Sequence, residues 1–388
     1  MGGRRSVTKD MWEHALAFLP EDLDTLARET GSVKRPRRVE SAAQLLRALL
    51  LYAEQGSFRT AAALSRSTGL LDITPEGLFY RLRHSEKFLE ALLSHLSAGL
   101  RAPAGYRLLV VDATTVCGPG ATGTDWRVHV GYDPVRALPC SIYVGDASVG
   151  ESLARHELRA GMLVLGDRAY GTARNVHHAL GAGADVLVRV QRKQMRLLQA
   201  SGERVDWDAL EAQVPSSGAA EFPLDLPVPP DGAGPGAAWH ERDRAALHPV
   251  RLVGTRNLQG ETVWLLTSMP SSRLDSATAA ELYRVRWQIE LYFKRLKSLG
   301  DLDVLGSRDG PTARSSVLAK MILLTLAGLL SEEEQAFSPY GYPVRQKPLE
   351  RVPPRPQKAR RRSLASKAAT KETRAKTPVQ PEKAQSLP

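Results

Sequence analysis

A change in the spacing of apolar residues near residue 107 constrains the fold most strongly. Before that point apolar side chains recur at helical spacing, as at Leu45, Leu46 and Leu49. Beyond it the chain carries segments of strand length, an alternating one at 125–130 and apolar runs at 107–116, 138–144, 162–165 and 185–190. Three successive strands followed by alternating helix and strand predict a mixed α/β sheet that is preceded by an all-α region.

The rest of the chain divides by composition. A passage rich in Pro, Gly and Ser at 215–238 is followed by strand-like runs at 250–254 and 262–268, and then by helices at about 277–298 and 312–332. We therefore predict a helical domain at 1–100, the first part of an α/β domain at 101–192, a β-rich insertion at 193–270, the second part of the α/β domain at 271–336, and a basic disordered tail at 337–388.

Composition excludes several classes of protein. The two cysteines, Cys117 and Cys140, form no metal-binding or disulfide pattern. The first residues lack the apolar run of a signal peptide. The most apolar stretch, 317–330, contains Lys320 and is shorter than the roughly 20 residues that span a bilayer. We expect a cytoplasmic protein without a membrane partner.

The positive charge is concentrated at one end. The net charge is +11, but residues 341–388 hold 13 Lys and Arg against three Glu, a balance of +10. This segment lacks apolar periodicity, which is typical of disorder. Any DNA-binding surface on the rest of the chain must therefore come from local clusters of cations.

Two aspartates occupy unusual places in the strand pattern. Asp112 interrupts the apolar run 107–116, and Asp167 follows the run 162–165 after Gly166. A carboxylate in such a place is costly unless it is paired or binds a cation. Each aspartate alone could cap the turn that follows it, whereas two acids placed alike favour a shared metal site. Four rival carboxylates lie in this region, and we interpret them as structural, with the alternative that one of them joins the site: Asp125, Asp133, Asp146 and Glu151.

The predicted helix at 277–298 separates charge from apolar surface. At about 100° per residue its charged stripe is about 80° wide and lies beside a separate apolar seam that includes Ile289, Phe293 and Leu296. The stripe contains Tyr283, Arg286, Glu290, Lys294 and Lys297. It displays one carboxylate among cations, and the alternative is an exposed face stabilised by salt bridges.

Two further features have alternative readings. Trp287 borders the stripe and could stack on a base or pack in the core. The segment 57–84 holds two short helices around Gly69, the second starting at Thr74-Pro75. Such a pair is either a helix-turn-helix that reads a DNA groove or part of an ordinary helical bundle.

Taken together, the motifs resemble one family. Asp112 lies in Val-Val-Asp-Ala-Thr, Asp167 lies in Gly-Asp-Arg-Ala-Tyr-Gly, and the helix carries the spacing Tyr283-x2-Arg286-x3-Glu290-x6-Lys297. These residues resemble the three acids and the Y-R-E-K signature of DDE transposases of the insertion-sequence-four type. The resemblance extends over about residues 10–335.

The resemblance implies a ribonuclease-H-like core with a β-strand insertion between the second aspartate and the glutamate, preceded by helices that bind transposon ends. Asp112, Asp167 and Glu290 would be catalytic and hold two Mg²⁺ ions, for which Mn²⁺ can substitute. DNA contacts would come from Tyr283, Arg286 and Lys297. Lys294 of the stripe and Trp287 beside it are further candidates for contact with DNA. The implied partners are duplex DNA, both inverted-repeat ends and target, and a second copy in a DNA-bound homodimer associated with the bacterial nucleoid.

The resulting hypothesis is a transposase that binds terminal inverted repeats, cleaves phosphodiesters with two metal ions and joins the 3′ ends to target DNA. One alternative is a degenerate or domesticated DNA-binding protein of the same fold, because the basic tail departs from the family pattern. Another alternative is a metal-dependent DNA nuclease without strand transfer.

Overall fold

The computed structural model describes residues 9–33, 39–98, 107–192, 194–230, 244, 246–303 and 305–330. The predicted basic tail at 337–388 lies outside the described residues.

Helices occupy the N-terminal part of the described chain. They are α1 (Lys9–Leu16), α2 (Leu23–Glu29), α3 (Ala42–Gln55), α4 (Phe58–Ser67), α5 (Pro75–Arg83) and α6 (Glu86–Ala98). Short polar side chains determine where two of them begin, since Ser41 Oγ accepts a hydrogen bond from the Gln44 N–H at 3.1 Å and Thr74 Oγ1 accepts one from the Gly77 N–H at 3.1 Å. Buried leucines of α3 and α5 pack in one apolar core.

The following strands form one mixed sheet in the order β3-β2-β1-β4-β5-β8-β7-β6. Strands β1 and β4 are parallel, as are β4 and β5, whereas the remaining neighbours are antiparallel. The strands are β1 (Arg107–Val116), β2 (Trp126–Asp133), β3 (Leu138–Asp146), β4 (Met162–Gly166), β5 (Asp185–Arg189), β6 (Ala219–Val228), β7 (Ala246–Arg256) and β8 (Thr262–Thr267).

The strands of the predicted insertion extend this same sheet. Strand β8 pairs with β5, with Leu187 opposite Thr267, and β7 and β6 follow in order. The backbone groups at the free edge of β5 thereby obtain partners. The predicted fold class is confirmed. An all-α region precedes a ribonuclease-H-like mixed sheet, and β6, β7 and β8 are added to that sheet.

Side chains alternate between two apolar layers across the sheet. Leu108 and Val110 of β1 face the layer shared with the N-terminal helices, whereas Leu109 and Val111 face the opposite layer. The latter is covered by α7 (Ala173–Gly181), and the short α8 (Trp207–Ala212) contributes Leu210 to it. Position along a strand therefore decides which layer each side chain enters.

The prediction of a single helix at 277–298 is wrong. The structure has α9 (Ser276–Arg284) and α10 (Trp287–Gly300), separated by Val285 and Arg286. The backbone there stays right-handed but tightens, because the Arg286 N–H donates to the Tyr283 carbonyl at 3.1 Å and the Gln288 N–H donates to the Val285 carbonyl at 3.0 Å. These three-residue spacings are those of a 3₁₀ turn, which apolar periodicity alone does not distinguish from an α-helix.

The last described helix, α11 (Gly310–Leu330), is longer than the apolar run that predicts it. By length and composition it could cross a membrane, but 61% of its most apolar window is buried inside the protein. It packs against α3, α6 and α10. Lys320 is buried within it and donates to the backbone carbonyls of Ala53 and Gly300. These contacts are those of a central core helix.

Candidate active site

The parallel pairing of β1 with β4 brings the two predicted aspartates together. Val110 lies opposite Leu165, and Val111 lies opposite Gly166. One residue further along each chain, Asp112 and Asp167 occupy equivalent places. Neighbouring strands are about 4.8 Å apart. The two carboxylates therefore lie side by side at the same end of adjacent strands.

Strand alternation also decides which layer the aspartates face. Asp112 follows Leu108 and Val110 at a spacing of two, so it projects into the layer that contains α10. Helix α10 packs on this layer through Ile289, Phe293 and Leu296, as the apolar seam predicts. The charged stripe beside this seam carries Glu290, which is connected with Asp112 through Arg286.

Arg286 connects the helix acid with the sheet acid. Its Nη2 lies 2.6 Å from Glu290 Oε1, and its Nη1 lies 3.7 Å from Asp112 Oδ2. The Arg286 side chain is 19% exposed, and its guanidinium lies over the Tyr283 ring at 5.9 Å from the ring centroid. The guanidinium therefore bridges Asp112 and Glu290.

Burial and like charge shape the electrostatics of Asp112. Burial raises the pKa of Asp112 to about 6, and the negative charges of Asp167 and Glu151 act in the same direction. The Ala113 N–H, which donates to Asp112 Oδ1 at 2.8 Å, and the Arg286 guanidinium oppose this rise in pKa. An ionised Asp112 therefore needs a nearby cation.

The remaining members of the charged stripe have partners of their own. Lys297 Nζ lies 3.2 Å from Asp303 Oδ1, and Lys294 Nζ lies 4.9 Å from the centre of the Trp287 ring. Trp287 is half-buried, so base stacking and core packing both stay open. Burial raises the pKa of the Tyr283 phenol to about 12, which keeps it protonated. Contacts of these residues with DNA stay predictions.

Helices α4 and α5 pack together as the helix-turn-helix reading requires. Tyr80 of α5 is 57% exposed. Arg83 of α5 lies 3.3 Å from Asp309, and Arg81 donates to the Ser32 carbonyl at 3.3 Å. These two cations therefore contact the protein itself, and groove reading by α5 stays a prediction.

The acids interpreted as structural fall into two groups. Asp125 accepts from the Gly118 N–H at 2.6 Å, Asp133 lies 3.6 Å from Arg136, and Asp146 accepts from the Ser148 N–H at 2.8 Å. Glu151 differs, because burial raises its pKa and the charge of Asp167 raises it further. The sequence pattern offers Glu151 only as a rival acid, and it gives no role to Tyr170, which follows Asp167 by three residues in the Gly-Asp-Arg-Ala-Tyr-Gly motif.

The donor set suits a hard divalent cation, since carboxylate oxygens are the ligands that Mg²⁺ and Mn²⁺ prefer. Within the described residues no group of three His, Cys, Asp or Glu side chains is arranged closely enough to hold an ion. Arg286 accounts for one separation, because it stands between Asp112 and Glu290. The chemistry of the site fits a metal, with Asp112 and Asp167 adjacent and Glu290 held by the arginine.

Comparison with known proteins identifies the family of the chain. The family described as "Transposase DDE domain" matches residues 103–326. The putative transposase InsL for insertion sequence element IS186A of Escherichia coli (strain K12) is 31% identical over 369 residues, which covers 85% of this chain and 96% of that protein. The transposase for insertion sequence element IS421 of Escherichia coli is 30% identical over 370 residues, with the same coverage.

A solved structure of piggyBac transposase in a synaptic complex with hairpin DNA is also similar, with 9% identity and a TM-score of 0.42 over 82% of this chain and 73% of that chain. The family match includes both aspartates, the Arg286 turn and Glu290. Members of this family depend on a divalent metal. The chain belongs to the DDE transposase family and is a transposase of the insertion-sequence type.

Proposed function

We propose that this transposase binds the terminal inverted repeats of its insertion sequence, cleaves phosphodiesters there with two metal ions, and joins the 3′ ends to target DNA. The observation that carries the proposal is the β1–β4 register, which sets Asp112 beside Asp167 on the layer that α10 covers. Glu290 lies on that helix and is linked to Asp112 through Arg286.

Asp112, Asp167 and Glu290 would hold the ions, which we propose are Mg²⁺ with Mn²⁺ as a substitute. When bound, two such cations neutralise charge at a scissile phosphate and activate an oxygen nucleophile. Asp112 would be the ligand common to both ions, since it adjoins Asp167 in the sheet and is connected with Glu290 through Arg286.

Arg286 couples DNA binding to the assembly of this site. A phosphate accepts paired hydrogen bonds from a guanidinium and competes with a carboxylate for it. When DNA enters, Arg286 exchanges its contact with Glu290 for a contact with a backbone phosphate. Glu290 then becomes available to the aspartates.

The other residues of the stripe orient the DNA. The Tyr283 phenol stays protonated and donates a hydrogen bond to a phosphate oxygen. Lys294 is exposed and Lys297 is one-third exposed, so both can approach the backbone of the duplex. Trp287, beside Lys294, offers a ring to a displaced base.

The helices before residue 100 would read the inverted repeats, and the α/β domain, with its 193–270 insertion, would carry out the chemistry. The DNA-bound form is a homodimer, because two transposon ends must be held together. We place the protein in the bacterial cytoplasm, associated with the nucleoid.

The test uses the full-length chain and DNA that carries the inverted repeats found beside its coding sequence. In Mg²⁺ the natural protein should cleave these ends and join them to a second duplex, whereas Asp167→Asn should do neither. Asp146→Asn is the matched control, because Asp146 accepts its hydrogen bonds from Ser148 in its own turn. Cleavage without joining would indicate a nuclease, and end binding alone would indicate a DNA-binding protein that has lost catalysis.

A further inference from the structure

A fourth carboxylate lies near the two sheet aspartates. Glu151 follows β3 and precedes a 3₁₀ turn at Leu153–Arg155. It is half-buried, and its charge acts on Asp112 while the charge of Asp167 acts on it. Arg127 partly offsets this repulsion, but its Nη1 donates to the Val149 carbonyl at 3.3 Å. The negative charges of Asp112, Asp167 and Glu151 therefore lie close enough to affect one another.

Asn175 of α7 ties the Glu151 loop to the turn that carries Asp167. Its Oδ1 accepts from the Leu153 N–H at 2.9 Å, and its Nδ2 donates to the Tyr170 carbonyl at 3.2 Å. The Tyr170 N–H in turn donates to the Asp167 carbonyl at 3.2 Å. Asn175 is 6% exposed, so these bonds are shielded from water. The position of Glu151 relative to Asp167 is therefore built into the fold.

The Tyr170 hydroxyl is a second observation at the same place. The residue is fully buried, and its Oη has no hydrogen-bond partner among the described residues. Its electrostatic neighbours include Glu151, Asp112 and Asp167. A buried hydroxyl without a partner is costly. A water molecule held between Tyr170 and Glu151 would satisfy it.

We propose that Glu151 belongs to the metal site, where Glu151 and the Tyr170 hydroxyl together hold a water ligand of a divalent cation bound by Asp112 and Asp167. Glu290 cannot be a ligand of that cation while its carboxylate is paired with Arg286. Glu151 lies outside that ion pair. The protein therefore binds one cation before DNA arrives. This inference rests on the proposed metal role of the two aspartates.

Titration of the DNA-free, full-length protein with Mn²⁺, followed by the electron paramagnetic resonance signal of the free ion, tests the inference. Glu151→Gln should weaken binding by about 10- to 100-fold, the usual effect of removing a partner that orients a metal ligand. Tyr170→Phe, which removes only an oxygen atom, should weaken it in the same direction. The control Glu157→Gln should bind as the natural protein does, because Glu157 is 80% exposed and pairs with Arg159.

Thermal unfolding in EDTA separates a metal role from a structural one. Glu151→Gln should unfold at the same temperature as the natural protein or above it, because it removes a charge that repels Asp167, and only the added stability in Mn²⁺ should shrink. If the variant is less stable in EDTA, Tyr170→Phe decides the question. Unchanged Mn²⁺ affinity in both variants, or no Mn²⁺ binding by the natural protein, would overturn the inference.

The outcomes also distinguish this inference from the proposed function. If Asp167→Asn abolishes Mn²⁺ binding and DNA cleavage while Glu151→Gln and Tyr170→Phe bind normally, only the role of Glu151 fails. If Asp167→Asn cleaves DNA as the natural protein does, the proposed function fails as well.

Discussion

The sheet half and the helix half of the site hold their acids by different means. Asp112 and Asp167 are positioned by the backbone pairing of two parallel strands, and each accepts a hydrogen bond from the local backbone at 2.8 Å. Glu290 lies on a helix that follows a tightened turn, and a side chain from that turn holds it. Backbone pairing in the sheet therefore determines where the two aspartates lie, whereas a side-chain ion pair holds Glu290 in place.

The two halves also differ in electrostatics. The sheet half brings like charges together under partial burial, which raises the pKa of Asp112 to about 6. The helix half brings cations, with Arg286 beside Glu290 and Lys297 beside Asp303. One half thus needs positive charge and the other supplies it.

The largest effect should follow from removing the helix acid. Replacing Glu290 by Gln keeps the side chain's shape but removes the charge that we propose binds a metal ion. Cleavage of end DNA in Mg²⁺ should therefore fall on the order of 1000-fold, the equivalent of about 4 kcal/mol of transition-state stabilisation. End binding, measured by gel shift, should stay nearly intact.

Glu281→Gln is the matched control for this substitution, because Glu281 is an exposed acid on α9 outside the charged stripe. It should cleave normally. Full cleavage by Glu290→Gln would rule out the assignment of the helix acid.

The next effect concerns the stability of the sheet half in a chelator. Because the folded pKa of Asp112 is raised from 3.8 to about 6, the neutral form stabilises the native state below about pH 4, and this contribution is lost as the pH rises through 6. The loss is on the order of 3 kcal/mol. Asp112→Asn should therefore be more stable than the natural protein at pH 7, measured by denaturant unfolding in EDTA.

Asp146→Asn provides the opposite sign. Hydrogen bonds from Ser148 lower the pKa of Asp146, so its stabilising contribution is present at neutral pH and is lost as the pH falls below 3.8. This variant should be less stable at pH 7. If both variants shift stability in the same direction, burial and like charge do not govern the sheet half.

The smallest effect is expected on DNA binding, when Lys297 of the helix half is replaced. Lys297 pairs with Asp303, whose side chain is 63% exposed, and such surface pairs contribute little to stability. Lys297→Gln should therefore leave the fold intact while it weakens DNA binding regardless of sequence. The slope of log K against log salt should become shallower by about one unit.

Arg256→Gln is the control for Lys297→Gln, because β7 is separated from β1 by three strands of the sheet. Its salt slope should equal that of the natural protein. A change of base preference in Lys297→Gln with an unaltered slope would contradict the phosphate role.

Local sequence signals predicted much of this molecule. The cap at Thr74 marks a helix start that the structure confirms. Asp112 and Asp167 stand out because carboxylates interrupt or end apolar strands, and parallel pairing then makes them neighbours. The apolar seam on α10 predicted which side of that helix is buried. All these signals depend on residues that are close in the chain.

Other features depend on packing between distant segments. The seam could not reveal the turn at Val285 and Arg286, because 3₁₀ and α geometry bury similar positions over a few residues. Glu151 was grouped with acids of ordinary turns, since its approach to Asp167 depends on hydrogen bonds to Asn175.

By itself the sequence determined the change from an all-α region to a mixed sheet, the family and the two aspartates at the strand ends, because periodicity, capping and motif spacing are local properties of the chain. The tertiary structure alone decided that Arg286 stands between Asp112 and Glu290 and that Glu151 joins the acidic neighbourhood. Charge interactions depend on distance and burial, and both arise only when remote segments pack together.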